Sequence, residues 1–154
     1  MARLLMAGFL FFAGCGSLAC QKYTDTLVDS PRRVDEGVAI STLRSVGQAQ
    51  IAYSLTNSGD YGTFEQLVAG GHLDARFNSS KPKLYGYFLT MTVDNRSSSG
   101  AAQSSYHCNA DPDPVANPSG RHFFLGSDSP QLHVNPTKPA TADDEAFQPQ
   151  SPLQ

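Results

Sequence analysis

Residues 34–55, VDEGVAISTLRSVGQAQIAYSL, decide the fold class. Ala39, Leu43, Val46, Ala49 and Tyr53 recur at steps of four and three, with Ile40, Ile51 and Leu55 widening the same apolar stripe. That spacing predicts an amphipathic helix over about 34 to 56 with one buried face. Asp35 and Glu36 fall in its expected first turn, where carboxylates suit the positive end of the helix dipole, and Asn57-Ser58-Gly59 supplies a stop. At 1.5 Å per residue the helix is roughly 30 Å long.

Downstream the period changes. Thr63 to Leu73 is glycine-bounded and predicts a turn or two of helix, with Phe64, Leu67 and Leu73 facing the core. After Pro82, Tyr85, Tyr87, Leu89, Met91 and Val93 alternate with Gly86, Phe88, Thr90 and Thr92, as in a strand with one buried face. A Ser-rich turn at Ser97 to Ala102 separates this strand from Ser105 to Ala110. Arg121 to Leu125 and Leu132-His133-Val134 complete the strands, with Asp111 to Gly120 a Pro-stiffened connection. From Pro136 on there is little to bury, so residues 136–154 are expected to be a disordered tail. The expected fold is α+β: one long N-terminal helix on a three- to four-stranded antiparallel sheet, spanning residues 34–135.

Upstream, GFLFFAGCGSLAC (residues 8–20) sets an apolar run against two cysteines. Leu4 to Ala13 is 10 residues long and follows Arg3. It falls well short of the roughly 20 residues of a membrane-spanning helix and suits a secretory signal. Phe12-Ala13-Gly14-Cys15 resembles the lipobox of bacterial lipoproteins, with Phe12 in place of the usual Leu. The resemblance implies removal of residues 1–14, acylation of Cys15, and a tether over 15–33 that hangs the domain from the bilayer. The alternative is an ordinary signal peptide cut near Ala19. Both place the domain outside the cytoplasm.

The charge of −3, with no basic run, argues against a nucleic-acid partner. In the body of the chain, Ala39 to Tyr53, Asp60 to Asp74, Tyr85-Gly-Tyr, Tyr106-His-Cys-Asn-Ala-Asp-Pro and Ser119-Gly-Arg-His-Phe-Phe follow one another in an order similar to the globular part of type IV pilin-like proteins and type II secretion pseudopilins. Members that polymerise carry a prepilin peptidase site and a long apolar helix, and the lipobox and tether stand here instead. The resemblance implies a pilin-like domain held by lipid, with pilus or secretion components as its partners.

With Cys15 acylated, Cys20 and Cys108 form a candidate disulfide pair closing a loop of about ninety residues; the alternative for Cys108 is a small core residue. Asn109, Asp111 and Asp113 are weak calcium candidates, and some pseudopilins bind calcium in this region, but three oxygen donors are short of the usual six to eight. His72, His107, His122 and His133 lack the paired spacing of a zinc set. Neither Gly-x-Ser-x-Gly nor His-Glu-x-x-His occurs. The expectation is therefore a non-enzymatic cell-envelope lipoprotein without catalytic residues. The alternatives are an exported small-ligand or calcium-binding module, or a minor hydrolase.

Overall fold

The structure is a computed structural model that describes residues 18–100 and 103–148, with side chains from Arg33 onward. Contacts divide the chain into Met1–Pro31 and Arg32–Gln154, and the second unit carries the fold. Helix α1 (Leu18–Thr56) begins ahead of the expected start at 34. The stretch expected as a tether is thus helical in its backbone from Leu18. Asp35 and Glu36 lie inside the helix rather than in its first turn. Its C-terminus closes as expected: Ser58 and Gly59 take φ of 58° and 87°. The Gly59 N–H reaches Ser54 O at 2.9 Å, and Asn57 Nδ2 donates to Tyr53 O at 2.8 Å.

Helix α2 (Phe64–Ala69) follows. Thr63 accepts from the Gln66 N–H while Gln66 Oε1 takes the Thr63 N–H, a capping box that satisfies two donors the first turn would otherwise leave open. Phe64 and Leu67 are buried on its inner face.

Six antiparallel strands follow, β1 (Lys83–Leu84), β2 (Tyr87–Asp94), β3 (Ser105–Pro112), β4 (His122–Gly126), β5 (Ser129–Asn135) and β6 (Glu145–Ala146). They form one sheet in the order β1-β2-β3-β4-β5-β6. The expectation of three or four strands is too low because β1 and β6 have two residues each, too few to show a period. Tyr85 does not begin a strand. It forms the β1–β2 turn with Gly86, at φ of 48° and 74°, and its ring is exposed. A four-residue helix, α3 (Arg96–Ser99), occupies the Ser-rich turn.

One face of the sheet meets α1. Ala39, Ile40, Leu43 and Val46 of the helix join Tyr87, Leu89, Cys108, Ala110, Phe123, Leu125 and Leu132 of the strands in one buried cluster, which Phe64 and Phe77 extend. Two polar ties orient the helix on it. Near one end the Glu36 carboxylate, nearly inaccessible, receives Arg121 Nη2 at 2.7 Å, Nε at 3.1 Å and the Arg121 N–H at 3.2 Å. Toward the other, fully buried Gln50 donates to Gly62 O at 2.7 Å and accepts the Gly62 N–H at 2.9 Å, satisfying both groups of a backbone unit that water does not reach.

The Gln50 clamp overturns part of the expected helix face. Ile51 and Leu55 are 61% and 81% exposed, outside the buried stripe. They stand roughly 100° and 140° around the helix from Gln50 at 3.6 residues per turn. Once Gln50 faces inward they must face out.

The expected disordered tail is also corrected as far as Gln148. β6 pairs with β5 through His133↔Ala146 and Val134↔Glu145, and the Phe147 N–H bonds to Leu132 O at 2.7 Å. Phe147 meets Phe123 edge-on, with ring centroids 6.0 Å apart. The connecting loop is held by backbone and amide groups: Asn109 Nδ2 donates to Ala140 O at 2.7 Å, and Asn135 Nδ2 to Asp144 Oδ1 at 2.7 Å. A stretch held this way carries almost no hydrophobic signal.

Candidate functional site

The outward turn of Ile51 opens an apolar groove along α1. Arg44, Gly47, Gln48 and Ile51 form its helical wall, and Tyr61, Tyr106, Leu125, Gly126 and Ser127 form the floor and far side, enclosing about 350 Å³. Gly47 sets the depth: a Cβ there would lie 3.0 Å from Leu125 Cδ2 and 3.4 Å from Tyr106 Oη. The two tyrosines meet edge to face at 4.7 Å between centroids. Burial pushes the Tyr106 phenol up to about 12, so it stays a neutral hydroxyl at the groove wall. Ser127 secures the floor, its N–H donating to Tyr106 O at 2.9 Å while its Oγ accepts the Tyr106 N–H at 3.1 Å. Leu55 lies one helical turn beyond Ile51 and is more exposed still. The result is a concave apolar surface with aromatic walls and one cation, Arg44, at its rim. These are features of surfaces that bind other molecules.

The residues singled out in the sequence are scattered relative to this groove. Cys15 lies outside the described residues, as does the side chain of Cys20. Cys108 is a free thiol with no solvent exposure, and burial pushes its pKa well above the ordinary thiol range. It packs in the centre of the sheet–helix core.

The three calcium candidates have separate partners. Asn109 Nδ2 donates to Ala140 O, Asp111 Oδ1 meets His122 Nδ1 at 2.6 Å, and Asp113 pairs with Lys83 and accepts the Val115 N–H at 2.8 Å. Lys83, followed by the Val115 N–H, holds the Asp113 carboxyl below the usual carboxylate range.

The histidines are equally dispersed. His107 stacks on Phe124 with centroids 5.8 Å apart, and Phe124 meets His133 edge-on at 6.1 Å. His133 Nδ1 donates to Asp144 O at 2.8 Å, which fixes that nitrogen as the protonated one. His72 lies against Tyr53, 5.9 Å between centroids. Among the described residues no group of three or more His, Cys, Asp or Glu is placed to hold a metal ion, and no helix is long and apolar enough to cross a membrane.

Sequence spacing does not show the groove, because it sets Ile51 and Leu55 on the core face. The angular step from Gln50 was the available signal, and it becomes informative only once Gln50 is known to be buried. No family model, no curated protein and no solved structure matches this chain.

Proposed function

We propose that this chain is a non-enzymatic, lipid-anchored protein of the bacterial cell envelope that presents its α+β domain as a docking surface, as an accessory of a type IV pilus or type II secretion apparatus. The observation that carries the docking role is the groove, with Ile51 61% exposed above aromatic walls. An isolated exposed leucine or isoleucine is ordinary, but two on one helix face beside a concave apolar surface mark a place where a partner can remove apolar area from water. The lipid anchor at Cys15 rests on the lipobox-like junction, and the choice of apparatus rests on the ordered pilin-like motifs and on a long helix packed against an antiparallel sheet. Fold-level likeness is a weaker warrant than a site, so the partner is the element to test.

A photo-crosslinking amino acid at position 51, compared with one at the exposed Val115, which follows the opposite end of β3 from Tyr106, tests the docking role in the native organism. Capture of pilus or secretion components from position 51 and not from 115 supports the reading. Equal capture from both positions, or of envelope proteins unrelated to either apparatus, rejects it. Mass spectrometry of the mature amino terminus tests the anchor separately: a diacylated Cys15 is expected, and an unmodified terminus downstream of it rejects lipidation.

A further inference from the structure

Strand β2 is paired along its whole length on one side only. β3 runs beside it from Tyr87 to Asp94, whereas on the other side β1 meets only Tyr87 and Phe88, and Pro82 O takes the Leu89 N–H at 2.8 Å. Among the described residues no strand pairs with 90–94 on that edge. Backbone groups alternate in direction along an antiparallel strand. Since Leu89 points its N–H at the edge, Met91 and Val93 point theirs there too, away from β3. Edge strands are normally blunted by lysine, proline or a bulge. Thr90-Met91-Thr92-Val93-Asp94 contains neither lysine nor proline and pairs with β3 in unbroken register. Thr90, Thr92 and Asp94 are exposed, and Met91 and Val93 are half-buried.

We propose that this edge docks a second copy of the same chain, β2 against β2 in antiparallel register about a two-fold axis at Thr92, making one continuous sheet across both copies. Three observations favour a second copy over an unrelated extended peptide. The open window is bounded by Leu89, already bonded to Pro82, and by Asn95, the N-cap where the chain leaves the sheet for α3. It is therefore five residues long and centred on Thr92, so two such windows match end to end, while a longer strand runs into β1. In this register Met91 faces Val93 of the second copy, and the edge-directed groups of each exchange both hydrogen bonds. Across the exposed face Thr92 meets its own counterpart and Asp94 meets Thr90, so no like charges oppose, as an isologous interface requires.

The test uses the full chain in mild detergent, followed by sedimentation velocity over a range of concentrations. A reversible dimer is expected. Thr92→Lys and Thr92→Glu each set like charges across the axis and should weaken self-association by about tenfold or more, and an equal mixture of the two should restore it. Thr92 is exposed, so at concentrations where the parent is monomeric both variants should keep its melting temperature. Val93→Pro removes an edge-facing donor without touching the β3 ladder and should also dissociate the dimer. A parent that stays monomeric at every concentration overturns the proposal. So does association unaffected by the charges, or a Lys–Glu mixture that fails to recover it.

Discussion

Replacing Gln50 with leucine probes the contact that sets which face of α1 is buried. The two side chains are close in size, so the change leaves little cavity. It removes the donor to Gly62 O and the acceptor for the Gly62 N–H, at 2.7 and 2.9 Å, in a site without solvent access. Each orphaned backbone group costs about 1–3 kcal/mol. Leucine returns up to about 2 kcal/mol through its greater apolar burial. The net expectation is a loss of about 2–3 kcal/mol, because local movement of the 60–63 loop lets water meet part of the deficit. For a domain of this size that is roughly a 10 °C fall in Tm. Urea unfolding followed by far-ultraviolet circular dichroism gives the value, read as a shifted midpoint with an unchanged slope. Ile51→Gln, on the exposed face, should stay within about 0.5 kcal/mol of the parent. The reverse order, with Gln50→Leu neutral and Ile51→Gln strongly destabilising, would show that the helix buries the other face, and the groove would be lost with it.

Three further outcomes follow from other parts of the molecule. Phe147→Ala should cost about 1–2 kcal/mol, because a half-buried ring leaves Phe123, and a midpoint equal to the parent's would mean that the segment after Asn135 adds nothing to the fold. Cys108 should resist alkylation in the native protein at pH 8 and react fully in denaturant, as read by peptide-resolved mass spectrometry, since its thiol is buried and its pKa raised. Asp113 is held below the carboxylate range by Lys83 and then the Val115 N–H, and Asp144 by Asn135 and then the Thr141 N–H. The unfolded chain therefore binds their protons more readily, so their contribution is present above about pH 4 and disappears as pH falls through the lower folded values. Asp144→Asn should flatten part of that acid limb, and an unchanged pH profile of the urea midpoint would contradict the assignment.

Local features were legible without tertiary information. The helix through 39–55, its stop at Asn57-Ser58-Gly59, the short Phe64 helix and the four longer strands each depend on a period or a turn residue within a few positions of one another, and that is the range over which backbone propensity and side-chain spacing act. The lipobox-like Cys15 junction is likewise a local pattern, outside the described residues. Only the tertiary structure decided which helix face is inside, because Gln50 becomes a core residue through Gly62, twelve positions away and brought alongside by the chain reversal, and through Met91 Sδ on β2, 3.0 Å from its Nε2. It also recruited β1 and β6, which need the long strands as templates, and folded 136–148 onto the sheet through Asn109 and Asn135 rather than through apolar mass. The same long-range pairing gave Asn109, Asp111 and Asp113 three separate partners despite their alternating spacing. The physical reason is shared: a buried polar side chain's place is set by the partner that satisfies it, and Gln50, Asn109, Asp111 and Asp113 each find one across the sheet or the helix–sheet interface, beyond the reach of a local pattern.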